Sequence, residues 1–355
     1  MFQALASLGG FEFLGPGDAD AREAAGGKAG SPLARAMARL DGRVGAARCW
    51  PLDSRERIFR LRNIARAWGT KIQSQGALAL AVVEDPICFE PLVRKLHSLA
   101  VPIVAACQNI ESLSHVHVPF SSRMAFLGRE LDLLSRCALV ITISREDTWL
   151  LKNFSIPTFY FPYFPSAPTQ ERLLRVRQAR RGRAKRSVML LGNAGNLATR
   201  QGMARVMEYW QEKNLSRTFD RLLLAGFRTD SFFADWGAKD HIEFLGPLSQ
   251  DDLYEKLAVI KACLVFQEGG GGALTRIAEM LVAGIPVVAG SQAARSYHGL
   301  AGVSEFRELR DLEDALARAE SEPGEIPPPA EPDAAALAAR IQAILAERKA
   351  FPQPQ

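Results

Sequence analysis

Short apolar runs alternate with segments of helical periodicity along most of the sequence. The runs are three to seven residues long and lie at Ala77–Val83, Val101–Ala106, Ala138–Ser144, Thr158–Phe161, Val188–Leu191, Arg221–Ala225, Ile242–Phe244, Ala262–Phe266 and Ile285–Ala289. Apolar residues at helical spacing lie between most of them, at Cys88–Leu99, Ser122–Ser135, Gly202–Lys213, Gln250–Lys256 and Leu274–Ala283. A repeated strand–helix unit builds parallel sheets, and runs that are apolar on both faces fit strands that helices cover on both sides. The pattern therefore predicts an α/β fold built on parallel sheets.

The repeat is interrupted near the middle of the chain and again near its end. Phe161–Gln170 contains three prolines and leads into a run of arginines, after which the pattern resumes at Val188. Glu320–Asp333 is rich in proline and glutamate, as linkers often are, and the stretch after it predicts a helix over Ala334–Lys349 with Asp333 as its N-cap. We predict Rossmann-like domains at 1–165 and 188–320, a basic interdomain linker at 166–187, a second linker at 321–333, and a terminal helix and tail at 334–355.

The first residues do not follow the usual Rossmann opening of an apolar strand and a glycine turn. Phe2–Leu8 predicts a helix, Phe11–Leu14 a short strand, and Gly15–Pro32 a small, polar loop. Two interpretations stay open. Either the N-terminal domain lacks its first strand, or this sequence begins downstream of the natural start.

Positive charge is concentrated in one segment. The chain has 44 Lys and Arg against 39 Asp and Glu, a net charge of +5, and Arg172–Ser187 alone holds eight basic residues and no acidic one. The remainder has a net charge of −3, which argues against a nucleic-acid partner. One interpretation of the basic segment is a solvated connector. The other is attraction to an anionic membrane surface, at about 1 kcal/mol per basic residue.

Composition and residue spacing exclude several other classes. Hydrophobic residues make up 48% and charged residues 23% of the chain, as in soluble globular proteins, and no apolar run approaches the roughly 20 residues of a membrane-spanning helix. The five cysteines form no Cys-x-x-Cys pair, which indicates reduced thiols in a cytoplasmic protein. Asp18-Ala19-Asp20 lies in a polar stretch, and His115-Val116-His117 has no further ligand at metal-site spacing. No metal site is predicted.

The most informative segment follows the apolar run at Ala262–Phe266. Four consecutive glycines, Gly269–Gly272, separate that run from the helix predicted over Leu274–Ala283. Glycines between a strand and a helix N-terminus let backbone N–H groups approach an anion, and the helix dipole favours negative charge there. Arg276 in the first turn can bind phosphate, and Glu279 lies on the same helix face and can accept hydrogen bonds from a ribose diol. Together these residues indicate a pocket for a nucleotide diphosphate.

This segment, Phe244–Gly290, resembles the donor-binding segment of retaining GT-B glycosyltransferases of the family 4 type. The shared pattern begins at Phe244-Leu245-Gly246, continues through the glycine turn, Arg276 and Glu279, and ends at Ala283–Val288. The resemblance implies a GT-B fold, with two Rossmann-like domains facing across a cleft. It also implies metal-independent transfer of a sugar from a nucleotide diphosphate sugar to an acceptor hydroxyl, with retention of configuration.

The resemblance assigns roles to residues in both halves. The implied catalytic residues are Arg276, Glu268 and Asn109. The implied substrate-binding residues are Gly270, Gly271, Gly272, Glu279, Arg200, Gly192, Asn193, Gln108 and Glu111. Arg276 and Arg200 are expected at the diphosphate, Glu279 at the ribose, Glu268 at the sugar, and Asn109 and Glu111 on the acceptor side. No cofactor is implied; the donor is a UDP-, GDP- or ADP-sugar.

Two positions differ from the family pattern. Gly271 stands where many members have a second Glu, and Gln108 stands where a His is frequent; Gln cannot act as an acid or base near neutral pH. The sequence therefore leaves three functions open: a glycosyltransferase of bacterial polysaccharide or envelope synthesis, a non-catalytic protein that binds a nucleotide sugar or a partner, and a sugar-nucleotide epimerase. For the first, the acceptor is a glycan, a lipid-linked sugar or a protein, and the location is cytoplasmic, including the inner membrane face.

Overall fold

The computed structural model describes residues 79–114, 118–181, 186–236, 241–321 and 326–350. The predictions for the N-terminal helix, strand and loop, and the motifs at 18–20 and 115–117, lie outside these residues. The chain divides into two compact units, one formed by residues 1–162 and 333–355 and the other by residues 163–332. None of the described helices is long and apolar enough to cross a membrane.

The described part of the first unit is built on a parallel sheet. Its strands are β1 (Ala81–Glu84), β2 (Ile103–Cys107), β3 (Leu139–Thr142) and β4 (Thr158–Tyr160), which pair in sequence order. Its helices are α1 (Glu90–Ser98), α2 (Glu111–Ser114), α3 (Phe120–Leu134), α4 (Arg145–Asn153) and the terminal α11 (Ala334–Ala350). As in Rossmann-like folds, each described crossover between neighbouring strands contains a helix.

Side chains alternate between two cores in this unit. Ile103, Ala105 and Val140 pack with α1, α3 and α4. Val104, Leu139 and Ile141, one residue out of step with that set, pack with α11. The sheet is therefore covered on both faces, and its second face depends on a helix that the chain supplies at residues 334–350. The predicted cap of this helix is confirmed, since Asp333 Oδ1 accepts a hydrogen bond from the Ala336 N–H at 2.8 Å.

The second unit holds a six-stranded parallel sheet. Its strands are β5 (Val188–Leu191), β6 (Leu222–Ala225), β7 (Ile242–Gly246), β8 (Ala262–Val265), β9 (Val287–Gly290) and β10 (Val303–Phe306), in the spatial order β10-β9-β8-β5-β6-β7. Its helices are α5 (Ala167–Ala179), α6 (Leu197–Glu212), α7 (Thr229–Phe232), α8 (Gln250–Leu257), α9 (Thr275–Val282) and α10 (Leu312–Ser321). The predicted α/β class with doubly covered parallel sheets is confirmed.

Both faces of this sheet are also buried. Met189, Leu223 and Cys263 pack with α5, α8 and α9 on one face. Their strand neighbours, such as Leu190 and Leu224, pack with α6 and α10 on the other face. The period-two alternation of wholly apolar strands accounts for the uninterrupted apolar runs in the sequence.

The segment at 166–187, predicted as a basic linker, contains a helix that belongs to the second unit. Leu173 and Val176 on α5 are buried in that unit's core. Arg177 donates to the carbonyls of Leu281, Val282 and Ile326 at 2.6–2.8 Å, and the buried Arg180 donates to those of Leu257 and Ile260 at 2.7 Å. Two arginines of the run therefore bind the carboxyl ends of α9 and α8, where helices leave carbonyls without partners.

Candidate functional site

The strand order of the second unit creates a switch point between two adjacent strands. β5 pairs with β8 on one side and with β6 on the other, so the chain leaves β5 and β8 toward opposite halves of the sheet. In open parallel sheets, ligands bind outside the carboxyl ends of the strands at such a point. The loop after β5 begins at Gly192, and the loop after β8 contains Gly269–Gly272. The switch point therefore lies at the two glycine-containing segments that the sequence singled out.

The loop after β8 leads directly into the N-terminus of α9. Gly270 and Gly272 have φ angles of +105° and +71°, a region that disfavours residues with a Cβ. The N-cap position of α9, Leu274, makes no side-chain capping hydrogen bond. The first N–H groups of a helix have no partner within the helix and carry partial positive charge. The loop and α9 therefore present backbone N–H groups that can bind an anion.

Arg295 binds the glycine loop through the loop's carbonyl oxygens. This arginine follows β9 and is 7% exposed. Its Nε donates to the carbonyl of Gly272 at 2.6 Å and its Nη2 to the carbonyl of Gly271 at 2.7 Å, while Nη1 donates to the carbonyl of Gln292. Gln267 also donates to the carbonyl of Gly269. These hydrogen bonds to carbonyl oxygens fix the orientation of the loop's peptide groups.

Arg276 lies in the first turn of α9. A Cβ added to Gly192 would lie 3.5 Å from Arg276 Nη1, so this guanidinium spans from α9 to the loop after β5. Its Nε is buried and has no hydrogen-bond partner among the described residues. Burial, together with the nearby charge of Arg295, lowers the pKa of Arg276. A buried donor without a partner is costly, and an anion at the loop would supply the missing acceptor and charge.

Glu279 lies one turn further along α9. Its Oε1 accepts a hydrogen bond from the Tyr163 hydroxyl at 2.6 Å, across 116 residues of sequence. Burial and the adjacent Glu279 carboxylate raise the pKa of Tyr163 well above its ordinary value. Tyr163 is therefore a protonated donor to a carboxylate that lies one turn from Arg276 on α9. Tyr163 and Arg295 could not be identified from the sequence, because Glu279 lies 116 residues from Tyr163 and the glycine loop lies 23 to 24 residues from Arg295.

Other predicted residues of this unit are engaged elsewhere. Glu268 forms an ion pair with Arg205 of α6, so the structure directs its carboxylate toward that helix. Arg200 lies over the Phe232 ring of α7, with the guanidinium carbon 4.1 Å from the ring centroid. Asn193 Oδ1 accepts a hydrogen bond from the Gly195 N–H at 2.8 Å and closes the turn after β5.

Exposed aromatic residues and arginines meet beside the β5 loop. Phe227 and Phe232, at 57% and 40% exposure, follow the carboxyl end of β6. The Arg228 guanidinium lies 5.4 Å and 5.8 Å from their ring centroids, within cation–π range. This cluster was not predicted from the sequence, although Phe227-Arg228 shortly after an apolar run, with Phe232 one helical turn further on, is a usable signal.

The predicted residues of the first unit lie at the carboxyl end of β2. Gln108 donates to Glu84 at 3.3 Å, and Asn109 donates to the Ser114 hydroxyl at 2.8 Å. Glu111 begins α2. The Asn109 and Glu111 side chains are thus placed at the end of one strand, while Arg276 and Glu279 belong to the second unit.

A buried carboxyl group supports the start of α2. Glu130 on α3 is 3% exposed, and its two oxygens accept hydrogen bonds from the N–H groups of Glu111 and Ser112, each at 2.8 Å. Burial raises the pKa of Glu130 to about 7. The charge of the Glu130 carboxyl group therefore changes near neutral pH, at the segment that carries Asn109 and Glu111.

The described residues contain no group of three or more His, Cys, Asp and Glu side chains arranged to hold a metal ion. Four of the five cysteines lie in the described part and are free thiols, three of them buried. Burial raises the pKa of Cys263, next to Arg276, to about 12, so this thiol is protonated.

Comparison with known proteins gives similarity at the level of structure alone. No protein-family model matches the sequence, and no curated protein sequence is similar to it. The α,α-trehalose-6-phosphate synthase of Burkholderia multivorans superposes with a TM-score of 0.55 at 14% identity, over 88% of this chain and 80% of that one. Anabaena HepE, solved in complex with UDP and glucose, superposes with a TM-score of 0.53 at 15% identity, over 80% and 77%. TarM gives a TM-score of 0.55 at 11% identity, over 81% of this chain and 55% of that one. The fold is therefore of the GT-B class, with two Rossmann-like units.

Proposed function

We propose that this protein is a glycosyltransferase that binds a nucleotide diphosphate sugar in its second unit and transfers the sugar to an acceptor hydroxyl. The observation that carries the proposal is the Arg276 guanidinium. It lies beside Gly192 at the switch point, in the first turn of α9, with a buried Nε that has no partner among the described residues. The similar structures support the same assignment, since HepE was solved with UDP-glucose.

In the proposed mechanism the second unit stabilises the leaving group. The bond between the anomeric carbon and the diphosphate oxygen breaks, the acceptor oxygen forms the new bond to that carbon, and the proton of the acceptor hydroxyl passes to the departing diphosphate. Negative charge grows on the departing nucleotide diphosphate. Arg276, the glycine loop and the N-terminus of α9 would stabilise this charge through fixed donors in a partly desolvated site. Glu279 would accept hydrogen bonds from the ribose hydroxyls.

The finer features of the proposal rest on the family resemblance. Following that family, we propose transfer with retention of configuration and without a metal ion or other cofactor, in polysaccharide or envelope synthesis. Asn109 and Glu111 of the first unit are proposed on the acceptor side. UDP is the first candidate nucleotide, because it is the one bound by the similar HepE structures.

Nucleotide binding is the first test. UDP, GDP and ADP would be titrated by calorimetry into wild type, Arg276→Gln and Glu279→Ala, with Arg175→Gln, an exposed arginine of α5, as the matched control. We expect one nucleotide to bind wild type and the control equally, and both site variants to bind it at least tenfold more weakly. If no nucleotide binds, or if Arg276→Gln binds like wild type, the proposed site is wrong.

A second candidate is a protein that binds a nucleotide sugar without transferring the sugar. Gly271 and Gln108 stand where the related family has acidic and histidine side chains, and Glu268 is held by Arg205. Release of UDP from UDP-glucose, with a panel of sugar, lipid-linked and peptide acceptors, separates the two functions. Binding without any UDP release above the Arg276→Gln background would favour the second candidate.

A further inference from the structure

A tyrosine from the start of the second unit controls the orientation of Glu279. The chain passes from one unit to the other between Pro162 and Tyr163. Tyr163 packs against the core formed by α5, α8 and α9, and its hydroxyl reaches Glu279 Oε1 at 2.6 Å. A hydroxyl–carboxylate hydrogen bond of this length belongs to the strong, charge-assisted class.

This contact leaves the two carboxylate oxygens of Glu279 unequal. Oε1 accepts the hydrogen bond from Tyr163, which packs against the core of the unit, and this contact favours one orientation of the carboxylate. Oε2 has no hydrogen bond among the described residues. Because Glu279 is only partly buried and lies one turn from Arg276 on the same helix, Oε2 is available to a ligand whose phosphate lies at the α9 N-terminus.

Tyr163 acts only as a donor in this pair. Burial and the neighbouring Glu279 raise the pKa of Tyr163, so the phenol keeps its proton across the physiological range. Tyr254 and Tyr297 lie close enough to add to the same effect. A ligand hydroxyl therefore has to meet Glu279 in the orientation that Tyr163 imposes.

We propose that Tyr163 is a positioning residue that presents Glu279 to a cis-diol, and so gives the site its preference for a ribonucleotide over a nucleotide without ribose hydroxyls. The inference rests on the proposed function, since it requires nucleotide binding at the α9 N-terminus. It goes beyond the proposed function because it assigns part of the ribose specificity to a side chain that does not touch the ligand.

The test compares UDP with 2′,3′-dideoxy-UDP, which lacks the diol but keeps the base and both phosphates. Dissociation constants are measured by calorimetry for wild type, Tyr163→Phe and Glu279→Gln. The matched control is Tyr254→Phe, because the Tyr254 hydroxyl bonds to Gln250 and its loss leaves the Tyr163–Glu279 contact intact. Inorganic pyrophosphate is titrated into each protein to report on the phosphate part of the site alone.

We expect wild type and Tyr254→Phe to prefer UDP by about tenfold or more, a range that hydrogen bonds to a charged group supply. Tyr163→Phe should reduce this preference to about threefold or less, through weaker UDP binding, with dideoxy-UDP and pyrophosphate affinities unchanged. Loss of pyrophosphate binding in Tyr163→Phe would mean that the tyrosine only supports the fold, and would overturn the inference.

The outcomes separate the two proposals. If wild type prefers UDP and Glu279→Gln loses that preference, while Tyr163→Phe keeps it, then the donor site stands and the role of Tyr163 is wrong. If wild type binds UDP and dideoxy-UDP equally, the assignment of Glu279 to the ribose fails, and the inference built on it fails with it. If wild type binds neither, the proposed nucleotide site itself is wrong.

Discussion

Replacing Arg177 by Met tests whether the basic segment is structural. Arg177 donates three hydrogen bonds of 2.6–2.8 Å to backbone carbonyls, two at the end of α9 and one at Ile326. Its Cγ also lies 3.2 Å from where a Cβ on Gly284 would be, just past the end of the helix. Methionine keeps most of the apolar stem of the side chain and removes every donor.

The expected change in the unfolding free energy is the sum of opposing contributions. Three such bonds are worth about 1 kcal/mol each in net stability, and the favourable charge at a helix carboxyl end adds a few tenths. Release of the ordered arginine side chain returns roughly 1 kcal/mol of entropy. The unfolding free energy of Arg177→Met should therefore fall by about 2 kcal/mol. For a unit of this size the melting temperature should fall by about 4–8 °C.

Scanning calorimetry of the full-length protein measures this change. The control is Arg175→Met, which removes an equal charge from an exposed position of the same helix and should cost less than about 0.5 kcal/mol. If Arg177→Met melts within 1 °C of Arg175→Met, the capping contacts do not stabilise the protein, and the view of the run as a solvated connector stands.

Two further predictions concern other parts of the fold. Burial raises the pKa of Glu130 from 4.5 to about 7. The stability that this group contributes is therefore fully present below pH 4.5, and about 3 kcal/mol of it is lost as the pH rises to 7. In urea denaturation from pH 5 to 8, the unfolding free energy of Glu130→Gln should decline less steeply than that of wild type, and parallel curves would contradict this. Gly202→Ala on α6 places a Cβ 2.5 Å from the Phe266 carbonyl oxygen and should cost about 1–3 kcal/mol. By contrast Gly128→Ala, at an exposed position of α3 where a Cβ meets nothing within 4 Å, should stabilise by about 0.5–1 kcal/mol. Equal melting temperatures of the two variants would refute the packing argument.

The elements around the anion site follow from local sequence. The apolar run, the four glycines and the amphipathic helix predicted over Leu274–Ala283 appear in the structure as β8, the loop and α9 (Thr275–Val282). The agreement is close because each signal lies within a few residues of the structure it specifies: burial on both faces for the strand, positive φ for the glycines, and helical spacing for α9.

The side-chain partners could not be read in the same way. α5 was hidden by Pro168 and by its arginines, because Leu173 and Val176 are its only buried apolar residues. The partners of Arg177 are carbonyls 104 to 149 residues away. Tyr163 and Glu279 are 116 residues apart. Glu268 meets Arg205 only because α6 packs beside the loop after β8. Such pairs are set by tertiary packing, and a single sequence carries no local trace of them.

The position of α11 has a consequence for the order in which the protein is made. This helix covers Val104, Leu139 and Ile141 of the first unit, yet the ribosome synthesises it after all of residues 163–332. Until then Val104, Leu139 and Ile141 lack their contacts with this helix, while the second unit can already complete both of its cores. Domains that emerge early usually finish folding first. In this chain the unit that emerges first is the last to be completed, because a nascent chain stalled before residue 334 lacks the apolar side chains of Leu337, Ile341 and Ile344 that pack on the first sheet.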